Sequence, residues 1–150
     1  MKVAILSGSV YGTAEEVARH AERLLNAAGH QAWHQPRATL EALQAFAPEA
    51  FLTVTSTTGM GELPDNLQPL YYAIRDHLPA WSGLPGGVIA LGDSSYGDTF
   101  CAGGEQVREL YAELGIVEVL PMLRLDASES VTPESDAEPW LADFTQALNG

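Results

Sequence analysis

Ser7-Gly8-Ser9-Val10-Tyr11-Gly12-Thr13-Ala14-Glu15 follows an apolar run, Val3-Ala4-Ile5-Leu6, and leads into a strongly periodic helical pattern. It reads as a strand-to-helix loop, rich in glycine and hydroxyl groups and free of Lys and Arg. Such a loop suits a phosphate. Glycine lets the backbone approach closely, and the unpaired N–H groups and dipole of a helix start favour an anion. Ser9, Tyr11 and Thr13 can add hydroxyl donors. The same residues also fit a plain helix start, with Ser9 or Thr13 as N-cap and Glu15 and Glu16 in the first turn. The stretch alone leaves both readings open.

Working outward, Val3 to Leu6 is the continuous apolar run of a strand covered on both faces. Ala14, Val17, Ala18, Ala21, Leu24, Leu25 and Ala28 recur at helical spacing, and Gly29 supplies the stop. Gln31 to Gln35, around Trp33, predicts a shorter, more polar edge strand ended by Pro36. Leu40, Leu43 and Phe46 predict a short helix over 39–46. Phe51 to Thr55 is a β-branched third strand that runs into a second polar loop, Ser56-Thr57-Thr58-Gly59-Met60-Gly61-Glu62-Leu63-Pro64. Asp65 or Asn66 then caps a helix with Leu67, Leu70, Tyr71 and Ile74 inward. After a turn-rich connection over 79–87, Val88 to Leu91 is a fourth buried strand, followed by a third polar loop from Gly92 to Cys101. Gly103 and Gly104 lead into a helix with Val107, Leu110, Tyr111 and Leu114, closed by Gly115. Val117 to Leu125 holds a fifth strand, Asp126 to Asp136 reads as a loop, and Trp140, Leu141, Phe144 and Leu148 mark a C-terminal helix.

Strands alternating with helices predict an α/β fold, residues 1–150 forming a single domain. Five βα units in this length fit the flavodoxin-like doubly wound, five-stranded parallel sheet, order 2-1-3-4-5, with helices on both faces. In such sheets ligands bind beyond the carboxyl ends of the strands, at the switch point between strands 1 and 3. The three polar loops follow strands 1, 3 and 4 and would converge on that edge. Twenty acidic against seven basic residues, a formal net charge of −13, argue against nucleic acid or an anionic membrane as partner. No apolar run approaches the roughly 18 to 20 residues of a membrane-spanning helix. The chain also shows no signal-peptide pattern before the first strand, and its single cysteine fits a reducing cytoplasm.

The ligand narrows by elimination. A P-loop nucleotide site is excluded because no Gly-Lys-Ser/Thr follows strand 1, and the dinucleotide pattern G-x-G-x-x-G is missing. A response-regulator receiver shares the strand order. It needs an acidic cluster after strand 1, an Asp ending strand 3 and a Lys ending strand 5, where this chain has Ser7-Gly8, Ser56-Thr57 and Leu125-Asp126. What remains is a phosphate held by neutral donors and a flat ring between two further loops. Tyr96 can stack on such a ring, and backbone groups near Gly59 to Gly61 and Gly92 to Tyr96 can bond its edges. FMN has that shape.

Gly8-Ser9-x-x-Gly12-Thr13-Ala14-Glu15 resembles the FMN phosphate loop of flavodoxins, in the version found in the flavodoxin-like domain of diflavin reductases. Thr55-Ser56-Thr57-Thr58-Gly59-x-Gly61-x-x-Pro64-Asp65-Asn66 and Leu91-Gly92-Asp93-Ser94-Ser95-Tyr96, with Phe100-Cys101 after it, resemble the second and third flavin loops. Asp126-Ala127-Ser128 and Trp140 also match short-chain flavodoxins of the MioC/YqcA type. The resemblance implies that Ser9, Val10, Tyr11, Gly12, Thr13 and Ala14 surround the FMN phosphate. It puts Thr57, Thr58, Gly59 and Gly61 at the inner face and N5 edge of the ring, with Gly59 the residue whose peptide can turn there. It gives the outer face to Tyr96 and the pyrimidine side to Asp93 and Cys101, and it counts Gly92 and Phe100 of the third loop among the cofactor-binding residues. Three departures stand out: Thr58 where many flavodoxins have Trp or Tyr, Val10 in place of a polar residue, and one extra residue before Phe100-Cys101. Losing one stacking ring forfeits about 1 kcal/mol, which predicts weaker FMN binding and an altered potential.

The resemblance further implies an electron carrier rather than an enzyme. It would be a cytoplasmic monomer that takes electrons from a basic NADPH-dependent ferredoxin/flavodoxin reductase and gives them to acceptor enzymes. Glu62, Asp65, Asp98 and Glu105 would form an acidic docking rim. The alternatives are an FMN-dependent reductase of a small substrate such as a quinone, and a flavin-free interaction module. Cys101 has no histidine near it in sequence and reads as a packed thiol. His20, His30, His34 and His77 show no metal-ligand spacing and are expected on the surface.

Overall fold

A computed structural model describes residues 1–58, 61–92, 101–126 and 132–149. The elements run β1 (Lys2–Gly8), α1 (Thr13–Ala27), β2 (Gln31–His34), α2 (Leu40–Phe46), β3 (Ala50–Thr55) and α3 (Gln68–His77). They continue with β4 (Pro85–Gly92), α4 (Ala102–Leu114), β5 (Val117–Glu118), β6 (Leu123–Asp126), α5 (Pro133–Asp136) and α6 (Glu138–Asn149). Every strand pairing is parallel and the order is β2-β1-β3-β4-β5, with β6 also on β4. This is the doubly wound arrangement the alternation of patterns predicts.

Strand alternation divides the core into two layers. Val3 and Ile5 of β1, Leu52 and Val54 of β3 and Ile89 of β4 face α1 and α6, meeting Val17, Ala21, Leu25, Leu141, Phe144 and Leu148. Ala4 and Leu6, Phe51 and Val88 face the other way, toward Leu43 of α2, Leu70 and Ile74 of α3 and Val107, Leu110 and Tyr111 of α4. β3 is buried along its whole length, as a central strand covered on both faces must be. On the second-layer face of β3, Thr53 bonds the Tyr111 hydroxyl at 2.8 Å, and Tyr111 donates to the Gly87 carbonyl at 3.3 Å. Burial drives the Tyr111 phenol pKa up, so it stays neutral within this network.

The structure departs from the sequence expectations at three places. The fifth strand is broken into β5 and β6: both pair with β4, but residues 119–122 stand opposite only Gly87 and Val88. Pro121 lies in the break and cannot donate to a ladder; its carbonyl accepts instead from Trp140 Nε1 at 2.9 Å. The segment after Asp126 is not loop to its end, because Pro133 opens the short helix α5, where its fixed φ suits a first helical position. Finally, neither Asp65 nor Asn66 caps α3. The helix starts at Gln68 after a turn in which Leu67 and Gln68 N–H both donate to the Pro64 carbonyl. α2 does begin as expected, with Thr39 Oγ1 accepting from Ala42 N–H at 3.1 Å.

Candidate cofactor-binding site

Parallel registry brings the chain's polar loops to one edge. Gly8 pairs with Thr55, Thr55 with Ala90, and Gly92 with Asp126, so β1 and β3 end together and β4 and β6 end together two residues further along the same edge. Ser56 N–H donates to the Gly8 carbonyl at 2.8 Å, which carries the β1–β3 ladder into the loops themselves.

In the first loop, Gly12 is the N-cap of α1 at φ 88°, a left-handed conformation that favours glycine. No side chain caps the helix, so neither Ser9 nor Thr13 fills the role the simpler reading gave it. The first intrahelical bond runs from Glu16 N–H to the Gly12 carbonyl, and the N–H groups ahead of it have no intrahelical acceptor. Ser9 Oγ is buried and has no hydrogen-bond partner among the described residues. A hydroxyl left unpaired in the interior costs about 1–3 kcal/mol. Its position beside a free helix N-terminus accounts for that cost if an anion completes it. The backbone of Ser9 is anchored from a distance: its N–H donates to Asn66 Oδ1 at 2.9 Å, a contact spanning 57 residues. Asn66 therefore ties the first loop to the segment after the second, instead of capping α3. Val10 is half exposed and Tyr11 is 95% exposed.

In the second loop, Thr57 Oγ1 accepts from Gly103 N–H at 3.0 Å. Thr58 closes a turn: its N–H donates to the Glu62 carbonyl, its carbonyl accepts from Gly61 N–H, and its Oγ1 accepts from Glu62 N–H at 3.1 Å. Each threonine still has its own O–H to donate. Gln106 Nε2 donates to the Gly61 carbonyl at 2.7 Å. Gly59, Asp93, Tyr96 and Phe100, together with the rim residue Asp98, lie outside the described residues.

Gly92 ends β4 and Cys101 opens α4. The Cys101 thiol is fully buried and donates to the Ala90 carbonyl at 3.6 Å. Desolvation is the main force on it, with Arg124 opposing and Asp126 and Glu105 assisting, and its pKa rises to about 11. The thiol stays protonated near neutrality, which removes it as a nucleophile. Glu105 is paired with both Arg108 and Arg124, so its charge is largely offset locally. The histidines correct the sequence expectation in part: His77 is exposed, but His30 is buried, and His34 is half buried with Nε2 2.8 Å from Ser7 Oγ. Burial lowers the pKa of both.

Asn66, Gln106 and Gly103 are the site-supporting residues that sequence reasoning missed. Their partners lie 45 to 57 residues away. The one local signal was the placement of Asn66 just before a helical pattern, and it points equally well to a cap.

Comparison with known proteins follows the same lines. A family model for flavodoxin matches residues 5–140. Flavodoxin YqcA of Escherichia coli K12 is 40% identical over 148 residues, 99% of each chain, and protein MioC of the same organism is 33% identical over 97% of each. The solved structure of the C101A mutant of a Pseudomonas aeruginosa flavodoxin is 82% identical. It superposes with a TM-score of 0.97 over the full length of both chains.

Proposed function

Because this chain belongs to the flavodoxin family, as a short-chain member of the MioC/YqcA kind, we propose that it binds FMN and carries single electrons from a basic NADPH-dependent reductase to acceptor enzymes. The observation that carries the cofactor reading is the buried, unpartnered Ser9 hydroxyl beside the uncapped start of α1. Bound there, FMN supplies one-electron chemistry at its ring; the protein supplies position and electrostatics.

The residues fit that cofactor. Backbone N–H groups from Val10 to Ala14 and the hydroxyls of Ser9 and Thr13 would hold the phosphate without a cation, as suits a resident group rather than a phosphoryl donor. The braced second loop would meet the N5 edge through Thr57, Thr58, Gly59 and Gly61. Gly92, Asp93, Tyr96, Phe100 and Cys101 would close the other side, with Cys101 acting as neutral packing. The net charge of −13 raises the cost of adding a further electron beside a phosphate dianion, and so lowers the potential of the second reduction. Glu62 and Asp65 are exposed, whereas Glu105 is held by two arginines. Among the described rim residues, docking charge therefore falls mainly on Glu62 and Asp65, and association with a basic partner should slow as salt rises. Among the described residues no helix is long and apolar enough to cross a membrane. A monomer working in the cytoplasm completes the proposal.

The test is the visible spectrum of the purified protein with FMN during stepwise photoreduction. Two separate one-electron stages, with little NAD(P)H oxidation by the protein alone, are expected. A single two-electron stage with fast NAD(P)H oxidation would instead make it a reductase, and failure to take up FMN would leave a flavin-free module.

A further inference from the structure

We propose that Gln106, on α4, is a positioning residue that holds the second loop in its flavin-binding shape; this rests on the FMN-carrier reading above. α4 begins where the third loop rejoins the described chain, and its first turn is pressed against the end of β3. A Cβ on Gly103 would come 2.7 Å from the Ser56 carbonyl oxygen and 3.1 Å from Thr57 Oγ1. One turn further along, Gln106 reaches out of the helix to the Gly61 carbonyl at 2.7 Å.

What it grips is the returning limb of a tight turn. Gly61 sits at φ 83°, and its N–H closes the turn onto the Thr58 carbonyl at 2.9 Å. The next peptide, Gly61–Glu62, is then held at both ends: Gln106 donates to its carbonyl, and its N–H donates to Thr58 Oγ1 at 3.1 Å. A peptide plane bonded on both sides cannot rotate without breaking two hydrogen bonds. Glycine alone would leave that rotation almost free. The brace therefore fixes the directions in which the Gly61 carbonyl and the Glu62 N–H point. Preorganisation of this kind lowers the ordering cost of binding and appears as affinity.

Substitutions at Gln106 test this. Gln106→Met keeps the length and loses the donor, and Gln106→Ala removes the side chain should Met repack. Gln106 is only partly buried, so neither change opens a core cavity. The first readout is amide exchange at Glu62 in the apoprotein, expected to accelerate about fivefold, the factor for one net neutral hydrogen bond, while Leu52 in the core loses protection by no more than that factor. The second is FMN affinity by fluorescence quenching, expected to weaken by about the same factor, with the melting temperature falling by no more than roughly 2–4 °C. Unaltered Glu62 exchange and unaltered FMN affinity would overturn the proposal, as would a loss of protection at Leu52 larger than that at Glu62. If the unmodified protein took up no FMN, the carrier reading would fail while the exchange measurement still decided the brace.

Discussion

Ser9→Ala should move stability and cofactor affinity in opposite directions. The Ser9 hydroxyl is buried without a partner among the described residues. An unsatisfied hydroxyl costs about 1–3 kcal/mol, so deleting its oxygen should stabilise the apoprotein by about 1 kcal/mol or more. For a chain of this size that is a rise in Tm of roughly 2–4 °C. The backbone anchor survives the change, because it runs from Ser9 N–H to Asn66 Oδ1. Against a phosphate dianion the same hydroxyl makes a charge-assisted hydrogen bond of about 1.5–3 kcal/mol, so Kd for FMN should rise about 10- to 100-fold. Thermal melts without FMN, melts at a fixed FMN concentration and a fluorescence titration check all three parts. The variant should melt above the parent as apoprotein and gain less from FMN, since ligand stabilisation follows the ratio of concentration to Kd. An apoprotein destabilised by the change, with FMN affinity within twofold of the parent, would show that the hydroxyl does not face the phosphate.

Gly103→Ala places a Cβ 2.7 Å from a backbone carbonyl that cannot move aside cheaply; destabilisation of about 1–3 kcal/mol by urea titration is expected, with weakened FMN binding. Tyr111→Phe strips a buried network of its donor to Gly87 and its partner at Thr53, at a cost of about 1–3 kcal/mol. Because burial raises the Tyr111 pKa, its contribution is complete below the ordinary tyrosine value near 10 and lost as pH climbs above it. The phenylalanine variant should therefore lose less stability between about pH 9.5 and 11 than the parent. His34 works with the opposite sign: its lowered pKa means stability present above about pH 6.5 that drains away as pH falls, with His30 acting in the same direction. Chemical denaturation at about pH 7.5 and 5.5 should show that slope, and His34→Gln should flatten it.

The sequence by itself determined the layered α/β fold, the strand order and the edge on which the polar loops meet. Those follow from signals that are local and periodic. Val17, Ala21 and Leu25 mark a helix face, and Phe51 to Thr55 a buried strand, whatever lies across from them. The family was legible as well, because three loop motifs stand in order and, but for one extra residue before Phe100-Cys101, at matching spacing. What only the tertiary structure decided is how the loops are held. Asn66 has the composition of a helix cap and serves as a clamp on Ser9; Gln106 has the composition of a solvated helix face and serves as a brace on Gly61. His34 looks like a surface residue and is instead half buried, paired with Ser7. A polar side chain carries no local mark of its partner. Which of its possible hydrogen bonds it makes depends on segments dozens of residues away, and only folding brings them within 3 Å.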